Sequence, residues 1–335
     1  MDDQRFLVLR MSALGDIIHT LPAVSALRES FPKATIDWLV DKKWAPILEE
    51  NASVNNVIAM DRRSWRDVIS CVRRLRDKKY TTALDFQSLY RSAILGWLSG
   101  APKRLGFDAR YSRESGAAFF YTDVVSPRRS HKVEHNLELV EAAGARTNAI
   151  RFPLPAVPDT AAEVQHILAA KGVGDYFVLS PGGGWGSKCW PAERYGELHR
   201  LLAQKYGWRG VVSFGPGERD LAERVRVRAS AGSLEPVVEM FDLRQLIALL
   251  RRAKFLVAGD TGPLHLASAL GTPVVGLYGP TDPARNGPYS PRDVVVRKAK
   301  PEETTYSRGK SPSAAMLAIS VEDVLDAIEQ RLKKS

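Results

Sequence analysis

Three glycine-containing segments carry residues that could bind or transfer a phosphorylated group. In the first, Gly15 precedes Asp16, and a carboxylate within reach of a hydroxyl could act as a general base. The second, residues 180–191, contains four glycines and Lys188, so backbone N–H groups and one cation could hold a phosphate. In the third, residues 259–273, N–H groups at a helix N-terminus could do the same. These residue types predict a site for an anionic ligand.

Each candidate residue also has a purely structural interpretation. Asp16 could only cap a helix, and His265 could be a buried structural histidine. Glu218, in a fourth loop, could bind ribose hydroxyls or cap the helix that follows it. Residues 180–191 could form a plain turn, since they match neither the GxGxxG fingerprint nor the GxxxxGK[ST] motif. The residues alone therefore do not indicate dinucleotide or P-loop binding.

These loops follow predicted strands, in an alternation of strands and helices that is typical of a parallel sheet. In the first half, strands are predicted at residues 6–9, 36–40, 57–60 and 83–86, and helices at 17–29 and 65–78. In the second half, strands are predicted at 176–179, 210–214, 236–239, 255–258 and 274–278. The helices there are predicted at 191–206, 220–229, 243–252, 264–270 and 321–333. Pro22 is predicted to bend or delimit the first helix.

A proline-rich segment at residues 151–158 separates the two halves and favours extended backbone over helix. We therefore predict an N-terminal Rossmann-like domain at 1–155, a second at 156–320 and a C-terminal helix at 321–335. The fold class is α/β, with both domains doubly wound. Because open α/β sheets bind ligands at the carboxyl ends of their strands, we expect an interdomain cleft lined by the polar loops.

Composition and charge narrow the function classes. The chain has 335 residues, of which 44% are hydrophobic and 26% charged, as in an ordinary globular protein. Its net charge of +10 favours an anionic partner, and the basic residues gather in the first half. They form two clusters: Arg62, Arg63, Arg66, Arg73, Arg74, Arg76, Lys78 and Lys79, then Lys103, Arg104, Arg110, Arg113, Arg128, Arg129 and Lys132.

The two cysteines, Cys71 and Cys189, lie far apart and predict neither a disulfide framework nor a zinc site. The N-terminus lacks the pattern of a secretory signal, and no apolar run approaches the ~20 residues that span a bilayer. We therefore expect a cytoplasmic protein.

Three motifs together resemble glycosyltransferase family 9. They are SALGDIIHTLP at 12–22, GDTGPLH at 259–265 and YGPTD at 278–282. The likeness runs from about Phe6 to the final helix. Four further segments most resemble the members that add the first heptose of lipopolysaccharide: DWLV at 37–40, RRSWR at 62–66, DFQSL at 85–89 and RESGAAFFY at 113–121.

The resemblance implies a GT-B architecture and an inverting, metal-independent transfer of heptose from ADP-L-glycero-D-manno-heptose to Kdo on lipid A. Asp16 would be the catalytic base, and Lys188 would neutralise the departing diphosphate. Eight residues would contact the donor: Ser12, Gly15, Glu218, Phe241, Asp260, Thr261, Gly262 and His265. Four arginines would contact the anionic acceptor: Arg62, Arg63, Arg66 and Arg113. We expect neither a cofactor nor a nucleic-acid partner. We do expect peripheral contact with the inner face of the cytoplasmic membrane.

Two features depart from the family pattern and keep alternatives open. Residues 298–313, predicted as a loop, lack the cysteines that many members carry there, and this weakens the interpretation as a second-heptose enzyme. Residues 182–186 are unusually rich in glycine, which leaves the sugar specificity more open than the reaction class. A second-heptose enzyme, or a member that uses another sugar, is the nearest alternative. The basic pI of about 9.6 would also suit a non-catalytic nucleotide-sugar or nucleic-acid binder, although no RRM, KH or helix-turn-helix signature occurs.

Overall fold

The computed structural model describes residues 4–230 and 234–334. The chain folds into two compact units, Met1–Pro155 and Ala156–Ser335. Each unit contains one six-stranded sheet, and every pair of neighbouring strands in both sheets is parallel. The predicted α/β class with two doubly wound, Rossmann-like parallel sheets is confirmed.

The sheet of the first unit is ordered β3-β2-β1-β4-β5-β6. Its strands are β1 (Arg5–Leu9), β2 (Thr35–Asp41), β3 (Asn56–Met60), β4 (Thr82–Asp85), β5 (Lys103–Phe107) and β6 (Asp123–Val125). The central strand β1 is buried from Phe6 to Leu9, as expected of a parallel strand that helices cover on both faces. The order reverses between β1 and β4, so the loops after these two strands diverge and leave room for a ligand.

The described residues of the first unit form four α-helices, of which the first three lie between strands and the last follows β6. They are α1 (Leu14–Ser30), α2 (Trp65–Asp77), α3 (Tyr90–Leu98) and α4 (Lys132–Ala142). Pro22 lies inside α1, so the prediction that it delimits this helix is wrong. Pro22 removes the N–H that would bond the Ile18 carbonyl oxygen; the next carbonyl oxygen, that of His19, accepts from Asn136 Nδ2 of α4 at 2.9 Å.

The sheet of the second unit is ordered β12-β11-β10-β7-β8-β9. Its strands are β7 (Tyr176–Ser180), β8 (Arg209–Ser213), β9 (Val237–Glu239), β10 (Leu256–Gly259), β11 (Val274–Tyr278) and β12 (Val294–Arg297). The order reverses between β7 and β10, which places the switch point of this sheet beside the glycine-rich segment at 180–191.

The described part of the second unit, residues 156–230 and 234–334, forms eight α-helices. They are α5 (Pro158–Ala170), α6 (Ala192–Tyr206), α7 (Arg219–Ala229), α8 (Leu243–Arg252), α9 (Gly262–Leu270), α10 (Pro283–Asn286), α11 (Ala314–Leu317) and α12 (Val321–Lys333). Phe177 and Phe255 stack at 5.2 Å between ring centroids in the core. The final helix is fixed to this unit by a buried ion pair, with Arg331 Nε 3.1 Å from Asp293 Oδ1.

All nine predicted strands are present, with bounds shifted by at most one or two residues. The structure adds β5, β6 and β12, together with α3, α4 and α5, which the pattern of apolar residues did not reveal. The segment at 151–158 contains no helix up to Val157, but α5 begins at Pro158, a residue that suits the first helical position.

Candidate active site

Asp16 lies in the first turn of α1, directly after the loop that follows β1. Its Oδ2 atom accepts a hydrogen bond from the Ala13 N–H at 3.1 Å, so the capping role is present in the structure. The side chain is half-buried, and this is the one hydrogen bond to its carboxylate among residues 4–230 and 234–334. The Oδ1 atom is therefore left for a ligand hydroxyl, and capping does not compete with a role as base.

The loops after β1 and β4 are joined by Gln87. Its Oε1 atom accepts from the Met11 N–H at 2.6 Å, and its Nε2 atom lies 3.4 Å from Ser12 Oγ. Asp85, the last residue of β4, holds Gln87 in turn by accepting from its N–H at 2.8 Å. Ser12 is thus fixed at the switch point of the first sheet, and Gly15 lies beside it in the first turn of α1.

Arg10 was not predicted as a site residue, yet it lies among the candidates. It is 7% exposed, directly after β1, and burial lowers the pKa of its guanidinium. The charges of Asp16 and Asp85 oppose this shift, and the charge of Arg113 adds to it. Arg10 is therefore a common neighbour of the proposed base and of one acceptor arginine. A cation directly after a buried strand is the sequence signal that would have found it.

The four predicted acceptor arginines fall into two pairs. Arg62 Nε lies 3.2 Å from Asp41 Oδ2 at the end of β2, and Arg113 lies near enough to Arg10 for their charges to interact. Arg63 and Arg66 are exposed around the start of α2, where the Arg66 guanidinium lies over the neighbouring tryptophan ring. All four side chains are exposed, but Arg62 and Arg113 have charged neighbours at the carboxyl edge of the sheet.

Lys188 forms an ion pair at the switch point of the second sheet. It ends the short turn Gly186–Lys188 after β7, and its Nζ atom lies 2.5 Å from Asp260 Oδ2. Asp260 directly follows β10, so the pair joins the loops of the two central strands. The Lys188 ammonium also lies 4.1 Å from the centroid of the Trp185 ring.

Asp260 is held by two further side chains. Its Oδ1 atom lies 3.3 Å from His265 Nε2 and accepts from Asn286 Nδ2 at 2.8 Å. Burial opposes ionisation of this carboxyl, but the hydrogen bonds and charges of His265 and Lys188 outweigh it and hold the pKa of Asp260 well below its usual range. His265 is buried, as its structural interpretation requires, and Asn286 was not predicted.

The N-terminus of α9 lies beside this network. The helix begins at Gly262, and the Thr261 hydroxyl donates to the Gly259 carbonyl oxygen at 3.2 Å instead of capping the helix. The first N–H groups of α9 are thus free of a side-chain cap at the positive end of the helix dipole. Such an end can bind an anion next to Lys188.

Glu218 and Phe241 lie at the same edge of the second sheet. Glu218 does not cap α7; its Oε2 atom accepts from the Gly215 N–H at 2.8 Å. A Cβ atom at Gly182 would overlap this carboxylate, so the glycine lets the Glu218 side chain lie against the loop after β7. Phe241 is 9% exposed in the loop after β9. All six predicted donor residues of the second unit therefore follow carboxyl ends of its strands.

Within the residues that the structure describes, no three His, Cys, Asp or Glu side chains group so that they could hold a metal ion. Cys71 and Cys189 are both free, and burial raises the pKa of the Cys71 thiol to about 11. No helix in that part of the chain is both long and apolar enough to cross a membrane.

The two units thus define a protein of two Rossmann-like sheets, one with the half-buried carboxylate of Asp16 at its edge and one with the largely buried Lys188–Asp260 ion pair beside a helix N-terminus. A family model described as glycosyltransferase family 9 (heptosyltransferase) matches residues 68–315. The chain therefore belongs to glycosyltransferase family 9 and is a glycosyltransferase.

Relatives with known names align with most of the chain. Lipopolysaccharide heptosyltransferase 1 of Escherichia coli O18:K1:H7 is 32% identical over 308 residues, which cover 88% of this chain and 91% of the relative. The enzyme of the same name from Pseudomonas aeruginosa is 32% identical, over 85% and 81% of the two chains. Lipopolysaccharide heptosyltransferase 3 of E. coli K12 is 25% identical over 95% of each chain.

Solved structures of the family share the fold over the whole length. A family 9 glycosyltransferase from Veillonella parvula superposes with a TM-score of 0.87 at 24% identity, over 100% of this chain and 99% of that one. The E. coli heptosyltransferase WaaC with ADP superposes with a TM-score of 0.77 at 27% identity, over 98% and 100%. The architecture is that of GT-B glycosyltransferases.

Proposed function

We propose that this protein is an inverting, metal-independent heptosyltransferase of lipopolysaccharide core synthesis. In this proposal it transfers heptose from ADP-L-glycero-D-manno-heptose to Kdo on lipid A. The observation that carries the proposal is the Lys188–Asp260 ion pair beside the uncapped N-terminus of α9. Crystals of the similar E. coli enzyme WaaC with ADP and with ADP-2-deoxy-2-fluoro heptose support an ADP-sugar donor.

The leaving group is stabilised by charge at the edge of the second sheet. As the bond between the anomeric carbon and ADP breaks, negative charge grows on the departing diphosphate. Lys188 and the N–H groups of Thr261 and Gly262 provide fixed positive charge and dipoles for it, and such preorganised groups need no rearrangement during the reaction. Because Asp260 is held ionised, it fixes the Lys188 ammonium in place.

The attacking hydroxyl is activated at the edge of the first sheet. Asp16 Oδ1 takes the proton from an acceptor hydroxyl while the hydroxyl oxygen attacks the anomeric carbon from the side opposite ADP. The attack inverts the configuration at that carbon, and the proton ends on the carboxylate. In this proposal, the Asp16 edge and the Lys188 edge act on one donor–acceptor pair.

The arginines of the first unit recognise the acceptor. Kdo carboxylates and lipid A phosphates are anionic, and guanidinium groups bind both in a bidentate way. Arg62 and Arg113, which lie near the sheet edge, contact the Kdo groups next to the reacting hydroxyl. Arg63 and Arg66, on the exposed start of α2, contact more distant phosphates.

The same unit contacts the inner leaflet of the cytoplasmic membrane in this proposal. Its exposed apolar side chains include Trp65 at 68%, Trp97 at 54% and Phe119 at 92% exposure, and basic residues cover α2. Aromatic rings favour the membrane interface, and each basic residue near an anionic surface adds about 1 kcal/mol. Vesicle flotation tests this: binding should increase with anionic lipid, and equal binding to neutral and anionic vesicles would refute it.

The product test decides the reaction. The protein is incubated with ADP-L-glycero-D-manno-heptose and either Kdo–lipid A or the same acceptor already carrying one heptose, with EDTA present throughout. The proposal expects mass gain by one heptose on the first acceptor alone, with an inverted anomeric linkage. Gain only on the second acceptor would indicate a second-heptose enzyme. Salt-dependent RNA binding without any turnover would favour a nucleic-acid binder.

A further inference from the structure

Residues 298–313 lie across the carboxyl edge of the second sheet. The Thr305 N–H donates to the Pro280 carbonyl oxygen at 2.7 Å, which fixes the segment to the loop after β11. At the loop after β7, the Ser187 N–H donates to the Gly309 carbonyl oxygen at 3.1 Å, and the Ser313 N–H donates to the Ser187 carbonyl oxygen at 3.3 Å. The segment is therefore anchored on the glycine-rich loop that carries Lys188.

The glycines of that loop allow this close approach. A Cβ atom at Gly186 would overlap the Lys310 carbonyl oxygen, so no other residue fits at position 186 without moving the segment. The Gly309 N–H also lies 3.4 Å from Ser187 Oγ. The contact with residues 309–310 thus explains part of the unusual glycine content of residues 182–186.

Two cations lie within 6 Å of the centroid of the Trp185 ring. The Lys188 ammonium is 4.1 Å from the centroid of its ring, and the Arg308 guanidinium is 5.5 Å from the same centroid. Arg308 is exposed, and within the described residues it has no carboxylate partner. Lys188, in contrast, already shares its charge with Asp260. One ring therefore holds a compensated cation and an uncompensated one.

We propose that Arg308 is a second cation for the diphosphate of the sugar-nucleotide donor and that Trp185 is the positioning residue which holds it beside Lys188. This inference rests on the proposed donor. A guanidinium without a protein anion has no ion pair to break when a ligand binds. Its full charge is therefore available to the ligand. A planar fork also suits two phosphate oxygens better than an ammonium does.

The test measures ADP and adenosine binding by calorimetry on the full chain. Three variants are compared with wild type: Arg308→Ala, Arg308→Lys and the control Arg292→Ala, which removes another exposed arginine of the same unit. We expect Arg308→Ala to weaken ADP binding about tenfold and to leave adenosine binding unchanged, since adenosine has no diphosphate. Arg308→Lys should recover part of the loss, and Arg292→Ala should match wild type.

A second arm separates position from charge. Trp185→Phe keeps a ring near both cations and should retain most of the ADP affinity, whereas Trp185→Ala should lose as much as Arg308→Ala or more. Combining Trp185→Ala with Arg308→Ala should then lose less than the two separate losses combined, because both act through one guanidinium.

Three outcomes would overturn the inference. If Arg308→Ala bound ADP as tightly as wild type, Arg308 would have no role at the diphosphate, and the proposed donor would stand. Equal weakening of ADP and adenosine would show a general packing role for the segment. Failure of the wild-type protein itself to bind ADP would refute the proposed donor, and this inference with it.

Discussion

The two units use the same sheet order but surround their edge carboxylates differently. Asp16 in the first unit accepts one hydrogen bond from the protein and is half-buried. Asp260 in the second unit contacts three side chains, and its own side chain is only 4% exposed. A carboxylate with an open oxygen can take a proton, whereas one surrounded by donors stays ionised and holds a cation. The number of protein donors, more than the topology, distinguishes the carboxylate proposed as base from the one that holds Lys188.

The candidate cations of the two units also differ in how firmly the protein holds them. Lys188 is 14% exposed and paired, so its position is fixed before a ligand arrives. Arg63 and Arg66 are exposed on the first unit, where they can adapt to an acceptor but cannot be preorganised for a transition state. We therefore expect changes in the second unit to affect donor chemistry and changes in these arginines to affect acceptor affinity.

The largest effect is expected at Asp16. Asp16→Asn keeps an oxygen that can accept from Ala13 but cannot take a proton, so kcat should fall by roughly 10²–10⁴ with little loss of stability. Asp16→Ala should show the same fall and also cost about 1 kcal/mol of unfolding free energy from the lost cap. Asp159→Asn, another acid in the first turn of an exposed helix, is the matched control. Unchanged kcat in Asp16→Asn would contradict the assignment.

The second largest effect is expected for Lys188→Ala. Its kcat should be lower by roughly 10²–10³, because a preorganised charge at the leaving group is lost. Asp260 has lost one of its partners in this variant. Asp260→Asn should therefore lower kcat less in the Lys188→Ala background than in wild type. Lys254→Ala, which removes an exposed ion pair with Asp175, should change neither rate nor affinity. Steady-state kinetics with varied donor concentration distinguish these cases, and full activity of Lys188→Ala would refute its role.

The acceptor arginines should show a smaller effect, in KM. Arg62→Ala and Arg113→Ala are each expected to raise the acceptor KM about tenfold, because their guanidinium groups lie at the sheet edge. Arg66→Ala should raise it only a few fold. Arg151→Ala, an exposed arginine paired with Glu29, serves as control. If Arg66→Ala raised the acceptor KM as much as Arg62→Ala and Arg113→Ala, the distinction between these arginines would be wrong.

The smallest effect concerns stability of the second unit. His199 is buried and accepts from the Gly210 N–H at 3.1 Å; burial, with the charge of Arg209, lowers its pKa from 6.5 to about 4. Because the folded pKa is depressed, the unfolded state takes up the proton first as pH falls. Stability present above about pH 6.5 is thus lost as the pH approaches 4, by about 2 kcal/mol between pH 7 and 5. Urea unfolding of His199→Gln should lack this loss of unfolding free energy. If the variant had the same pH dependence as wild type, the assignment to His199 would be wrong.

Local pattern predicted the elements whose residues are apolar and bounded by caps or turns. The bounds of α8 (Leu243–Arg252) and β11 (Val274–Tyr278) are those expected from sequence, because α8 has a capping Asp242 and β11 is buried throughout. β5 escaped prediction because it begins with Lys103 and Arg104. The Arg104 guanidinium is satisfied by the carbonyl oxygens of Phe120 and Ala101, and the first of these is a contact across the fold that no local pattern shows.

The site was found through unusual residues after strands, but its internal contacts were not. Lys188 and Asp260 are 72 residues apart, and their pairing depends on β7 and β10 being neighbours at the switch point. Asn286 and Arg10 carry no motif of their own. Sequence thus indicates which loops hold chemistry, whereas the sheet order determines which loops meet.

A crystal structure with bound ADP-L-glycero-D-manno-heptose tests the central claim most directly. We expect diphosphate oxygens on Lys188 Nζ and on the N–H groups at the start of α9, with the anomeric carbon facing Asp16 Oδ1 and space for one acceptor hydroxyl in between. A diphosphate bound away from Lys188, or an Asp16 carboxylate with no path to the anomeric carbon, would contradict it.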